Sequence, residues 1–149
     1  MNTETTKKKR KTRNSPTKRA LADLRKLGFT AHVVERWNPF AHIRQDMFGV
    51  VDIVSMREGF GILAVQATDS TSHSKRREKA LAEPRLRTWL LSGGRFEIWS
   101  YGLKGKAGVR KLYQLRREEV KLEDLPPAPP EPVEPLAYAG PLFEREEVA

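Results

Sequence analysis

Apolar residues recur along this chain in two rhythms, and the switches between them mark its elements. Ser15-Pro16 is a helix-starting pair, a hydroxyl able to cap followed by a ring suited to the first turn. Ala20, Leu21, Leu24 and Leu27 then fall at helical spacing, and Gly28 suits the left-handed residue just past a helix end. Thr30–Trp37 (TAHVVERW) predicts a strand that Asn38-Pro39 ends. Two strongly β-prone runs follow, Phe48–Met56 (FGVVDIVSM) and Gly61–Thr68 (GILAVQAT). Arg57-Glu58-Gly59-Phe60 between them is a hairpin signal, because Gly59 supplies a left-handed residue. Asp69–His73 (DSTSH) offers several caps for a basic helix over Ser74–Leu81. Pro84 breaks that helix and opens another through Leu91, which Gly93-Gly94 terminates. Arg95–Tyr101 and Val109–Arg116 alternate apolar and polar residues, predicting a last hairpin. The order α-β-β-β-α-(α)-β-β predicts an α/β domain with a central mixed, mostly antiparallel sheet flanked by helices.

A length of 149 residues suits one such domain. Pattern and composition divide the chain into a basic arm at 1–15 expected to be disordered, a folded part at 16–117, and an acidic tail at 118–149. The tail contains PPAPPEPVEP, a polyproline-type linker, and is also expected to be disordered. There is no cysteine, which excludes disulfides and cysteine-ligated metal sites and suits a reducing, cytoplasmic setting. Apolar runs fall far short of the roughly 20 residues of a membrane span, and no apolar stretch follows the basic N-terminus as in a secretory signal.

The formal net charge is +9, and its distribution adds more than its sum. Residues 1–19 carry eight basic and one acidic side chain, and residues 118–149 carry two basic and nine acidic. The middle, 20–117, carries eighteen basic and nine acidic, so the folded part is itself basic. Packing does not require such a surplus, whereas neutralising phosphates does, so nucleic acid is the expected partner. An acidic protein is the plainer alternative, and no membrane partner is expected.

Among the predicted strands, Asp52 interrupts Gly49-Val50-Val51-Asp52-Ile53-Val54 where an apolar residue belongs. A carboxylate there costs several kcal/mol unless it is paired or holds a metal. Gln66 and Thr68 are similarly out of place near the end of the next run. If the hairpin loop is the three residues Glu58 to Phe60, facing residue numbers sum to 118, and Asp52 faces Gln66. Opposed side chains then stand roughly 5 Å apart on one face, with Thr68 on that face two residues on. A two-residue loop would put Asp52 and Gln66 on opposite faces. The plain alternative is a solvated polar stripe on an edge hairpin.

A helix, then Gly-Val-Val-Asp-Ile-Val, a glycine turn, Leu-Ala-Val-Gln-Ala-Thr and a basic helix resembles the PD-(D/E)XK (restriction-endonuclease-like) nuclease superfamily. The resemblance runs from about Thr17 to Leu115 and lies nearest the small Holliday-junction-resolvase-like and phage-type members. It implies an αβββαβ core and Mg²⁺-dependent (or Mn²⁺-dependent) hydrolysis of DNA phosphodiesters, with Asp52 and Gln66 matching metal-ligand positions. The family's lysine two residues further on, which orients the attacking water, is Thr68 here, a degenerate Gln-x-Thr motif. Thr68 can hydrogen-bond a water but supplies no cation, so Lys75 in the next helix is the candidate substitute. Its alternative role is to join Arg76, Arg77 and Lys79 in a solvated basic face that, with Arg44, grips phosphates. The family's first-helix acid would be Asp23; Glu35 and Asp46 are the better candidates to complete the metal site, although Glu35 could pair with Arg36 and Asp46 with Arg44. Junction-cleaving relatives are commonly homodimers, so a homodimer is also implied.

His32, His42 and His73 show no metal-type spacing and are expected on the surface or in loops. Trp89, Trp99 and Tyr101 are expected in the core, whereas Trp37 and Phe40 flank a loop near the site and could stack on bases. Two rival functions use the same residues differently. One is a nucleic-acid-binding module on this fold without catalysis; the other is an accessory protein whose acidic tail recruits a protein partner.

Overall fold

The computed structural model describes residues 14–128, so the expectations for the basic arm and most of the acidic tail lie outside the described residues. Helix α1 spans Pro16–Lys26, and Ser15 caps it by accepting a 3.3 Å bond from the Lys18 amide. It buries Ala20 and Leu24, and Gly28 follows with φ of +83°.

The strand predicted over 30–37 is two. Strand β1 is Thr30–Val33, and β2, Arg36–Asn38, leaves the main sheet to pair with β3, Ile43–Gln45, in a separate ribbon. The division has a local cause: the amides of Val34 and Glu35 both converge on the Asp52 carbonyl, at 2.8 and 3.4 Å. One acceptor serves two donors, so the ladder ends there and the chain turns outward.

The next run also starts later than its β propensity predicts. Strand β4 is Ile53–Arg57, and a tight turn precedes it in which the Gly49 amide bonds Asp46 and the Val50 and Val51 amides bond Met47. Phe48 and Gly49 sit there at φ of +57° and +72°. Val50 and Val51 are buried there ahead of the strand, and Val51 makes an isolated antiparallel bridge with Met47.

Strand β5, Gly61–Asp69, pairs antiparallel with β4 from Ile53↔Val65 to Arg57↔Gly61. Facing numbers sum to 118 and the loop is Glu58 to Phe60, the register that places Asp52 opposite Gln66. Helices α2, His73–Leu81, and α3, Pro84–Leu91, then cross to β6, Arg95–Lys104, which runs parallel to β5. Strand β7, Leu112–Glu119, closes the far edge antiparallel to β6.

The sheet order is β1-β4-β5-β6-β7, so the domain is mixed α/β with helices flanking a five-stranded mixed sheet. Leaving aside the β2–β3 ribbon and α3, the succession α1, β1, β4, β5, α2, β6 has the expected αβββαβ order. One core cluster joins Ala20 and Leu24 of α1 to Ile53, Val65 and Trp99; another joins Ala80 of α2 and Leu86 of α3 to Ala64, Phe96 and Ile98.

The folded part also runs further than residue 117. Glu118 and Glu119 belong to β7, the Val120 amide bonds Phe96, and a 3₁₀ turn over Leu122–Asp124 brings Leu125 into the second cluster. Val120 and Leu125 are the apolar signals of this extension, buried although acidic residues surround them.

Candidate active site

Asp52 stands at the mouth of β4, held on both sides by the sheet. Its amide donates to Val65 (3.0 Å), and its carbonyl receives the two amides of the β1 exit. The side chain is only 4% exposed. Oδ2 accepts 2.6 Å from Gln66 Nε2 and 2.8 Å from the Ala67 amide, so the carboxylate is fixed by a side chain and a main-chain donor of β5. Gln66 Oε1, also buried, has no hydrogen-bond partner among the described residues. An unpaired buried acceptor costs about 1–3 kcal/mol, which calls for a donor or a cation at that spot.

Around this pair lies an open cleft of about 230 Å³ at the C-terminal end of β5. Its walls include Glu35, Arg44, Asp46, Thr68, Asp69 and Arg76, with Ser15 to Thr17 of the α1 start at the rim. The Asp46 carboxyl shares this cleft with that of Asp52 and acts on it as a neighbouring negative charge. Glu35 is engaged by Arg44, whose Nη1 lies 3.3 Å from each of its oxygens. Asp69 turns its carboxylate inward on its own loop, accepting from Thr71 and from the amide (2.9 Å) and hydroxyl (3.2 Å) of Ser72. That loop chemistry, of which the Thr71 hydroxyl bond is the leading part, holds the Asp69 carboxyl below its ordinary range.

Asp52 moves the other way. Burial first of all, partly offset by the Ala67 amide and helped by the neighbouring charges of Asp46 and Glu35, pushes its carboxyl from 3.8 up to about 7. Two carboxyls brought into one half-dry cleft share a proton or a cation. Among the described residues no group of three or more His, Asp or Glu side chains is arranged to hold a metal ion by itself. The available donor set is therefore Asp52, Asp46 and Gln66 Oε1, while Glu35 is committed to Arg44.

The structure gathers most of the sequence-predicted residues and separates others. Asp52, Gln66, Thr68, Asp46, Glu35, Arg44 and Arg76 share the cleft. Lys75 does not line it; one helical step of about 100° separates it from Arg76, which does. Arg77 points instead to Glu118 (2.7 Å), and Lys79 is exposed on α2. Asp23 is away from the cleft, accepting 2.9 Å from the Tyr101 hydroxyl. Trp99 and Tyr101 are core and Trp89 is half-buried, whereas Trp37 and Phe40 are exposed.

His73 corrects an expectation: it is 2% exposed, not a surface or loop residue. Its Nδ1 lies 2.8 Å from Ser100 Oγ and its Nε2 2.6 Å from Glu118 Oε2. An Nε2–H tautomer satisfies both bonds, accepting from the hydroxyl and donating to the carboxylate. The His73 bond, followed by that of Arg77, holds the Glu118 carboxyl below its ordinary range. This network pins the first turn of α2 to β6 and β7, and so sets where Arg76 stands one turn later. No spacing in the sequence announces it, because the partners lie 27 and 45 residues away.

In comparisons with known proteins, the chain matches no family model, no curated protein and no solved structure.

Proposed function

We propose that the chain is a Mg²⁺- or Mn²⁺-dependent phosphodiesterase of the restriction-endonuclease-like class, acting on DNA. The observation that carries this reading is the buried Asp52, locked by Gln66 and the Ala67 amide, with the Asp46 carboxyl in the same cleft and Gln66 Oε1 without a hydrogen-bond partner among the described residues. Asp52, Asp46 and that amide oxygen would hold the ion, a set that leaves positions for water and substrate phosphate. When bound, the ion would neutralise the scissile phosphate and acidify its water.

The chain's own residues do the rest. The bonds from Gln66 Nε2 and the Ala67 amide keep the Asp52 carboxylate from swinging away from the cleft. Thr68 presents a hydroxyl that can orient a water, and Arg76 brings a permanent positive charge to the wall. Arg76 stabilises developing charge and does not accept a proton, because a guanidinium stays protonated. Lys75 and Lys79 grip the strand outside the cleft.

Incubation with duplex, flapped, branched and single-stranded DNA tests the reading. Cleavage with Mg²⁺ or Mn²⁺, abolished by Asp52→Ala with binding intact, is the expected result. Binding without cleavage of any substrate in either metal would overturn it.

A second reading, a DNA-binding module without catalysis, is favoured by one observation: among the described residues that line the cleft none is a lysine. It expects salt-dependent binding and no cleavage; binding that is absent or insensitive to salt removes both readings.

A further inference from the structure

The β2–β3 ribbon carries the most exposed apolar surface beside the cleft. Phe40 at its tip is 95% exposed, Trp37 53% and Ile43 51%. The tip is nonetheless built: Asn38 Oδ1 accepts from the amides of Phe40 (3.0 Å) and Ala41 (3.2 Å). His42 adopts a left-handed φ of +51°, and its ring meets Trp37 edge-on at 6.3 Å. Trp37 faces Arg44 across the ribbon, so the two side chains share a face, and Arg44 lines the cleft. Residues 36–45 carry Arg36 and Arg44 and no acid.

We infer that this ribbon is a base-stacking finger, with Phe40 and Trp37 receiving an unpaired nucleobase of single-stranded DNA next to the cleft. The inference rests on the nucleic-acid reading of that cleft, and it adds a preferred substrate. Flat aromatic faces with Arg36 and Arg44 on the same ribbon, Arg44 being paired with Glu35, complement a base attached to its phosphate, since stacking needs a ring and the backbone needs positive charge. A closed duplex offers no free base face, so the finger discriminates in favour of unpaired DNA.

The test is fluorescence anisotropy in EDTA with a labelled single strand and the duplex of the same sequence. Phe40→Ala is expected to weaken single-strand binding about 5- to 100-fold, the worth of one stacked base, and to leave duplex binding and the salt slope unchanged. Phe40→Trp keeps single-strand affinity. Because Phe40 touches water on nearly all sides, matching circular dichroism of the variant is expected. Equal losses on both DNAs, or no loss on either, overturn the inference. So does a variant that keeps single-strand affinity but breaks up a self-associated species in sedimentation, which would make the tip a protein contact. Omitting divalent cations separates this outcome from that of the cleavage reading: the single-strand preference is read from binding alone, whether or not the chain cuts DNA.

Discussion

Replacing Asp52 by asparagine removes a charge while keeping the shape, and the structure sets the size of the effect. Burial, with the charges of Asp46 and Glu35 and against the Ala67 amide, moves this carboxyl from 3.8 to about 7. At 1.36 kcal/mol per unit the shift is on the order of 4 kcal/mol. The folded protein binds this proton more tightly than the unfolded chain. The group's stabilising contribution is therefore complete below pH 3.8, declines as pH rises, and is gone above about 7. In Asp52→Asn the side-chain oxygen still accepts from Gln66 and Ala67, and the new NH₂ meets Asp46 as a donor in place of a repelling carboxylate. The expected outcome, without divalent cations, is near-equal stability of the two proteins at low pH. The variant then gains on the order of 4 kcal/mol above the window. Urea unfolding in EDTA across this range measures it, and subtracting the variant cancels the opposite slopes of Asp69, Glu83 and Glu118, all held below their ordinary values. Mg²⁺ at about a hundred times its dissociation constant should then return about 2.7 kcal/mol to the wild type and little to the variant. A difference that stays constant with pH, or a wild type that gains on the variant as pH rises, would refute the electrostatic account of the site.

Three other perturbations separate the parts. His73→Ala leaves Ser100 Oγ and a Glu118 oxygen without their imidazole and should cost about 2–4 kcal/mol in unfolding experiments; a loss under about 1 kcal/mol would mean the network anchors nothing. Gln66→Glu sets a second carboxylate against Asp52, so it should lower stability in EDTA while tightening Mn²⁺ binding by calorimetric titration; weaker binding would remove Gln66 from the ion's donor set. Thr68→Lys places an ammonium inside the cleft and should raise the Mg²⁺-dependent cleavage rate at least about tenfold, with cleavage at fixed saturating DNA as the assay. A variant that binds more tightly without cutting faster shows that position 68 does not face the reacting phosphate.

What the sequence disclosed follows the range of each interaction. The β4–β5 register was legible because one loop length decides which residues face each other. The start of β4 was not, since the left-handed Phe48 and the buried Val50 and Val51 satisfy their preferences in a turn that β propensity cannot distinguish from a strand. The exit of β1 depends on two amides sharing the Asp52 carbonyl, a contact made across the sheet. The basic face of α2 was legible as a group, but helix phase assigns the cleft to Arg76 and not Lys75. An acid in an apolar strand is also a less specific signal than Asp52 alone implies. Glu97 in β6 is equally buried, yet it serves structure, accepting from Trp99 Nε1 and from Arg117 at 2.9 and 3.0 Å. What distinguishes Asp52 is that, among the described residues, its side-chain donors are an amide side chain and a main-chain amide, with a neighbouring carboxyl in place of a cation.

The separation of the β2–β3 ribbon from the main sheet bears on how the molecule breathes. Ala67 belongs to β5, the central strand of the five-stranded sheet, and Asp52 is bonded to that strand through Val65 and Ala67, where amide exchange demands near-global opening, whereas among the described residues the two ribbon strands pair with each other alone. The finger can therefore melt and re-form many times while the carboxylates beside it keep their positions. Capture of a strand and alignment of its phosphate thus run on separate clocks: a compliant element that samples DNA shapes, and a stiff one that does not adjust to them.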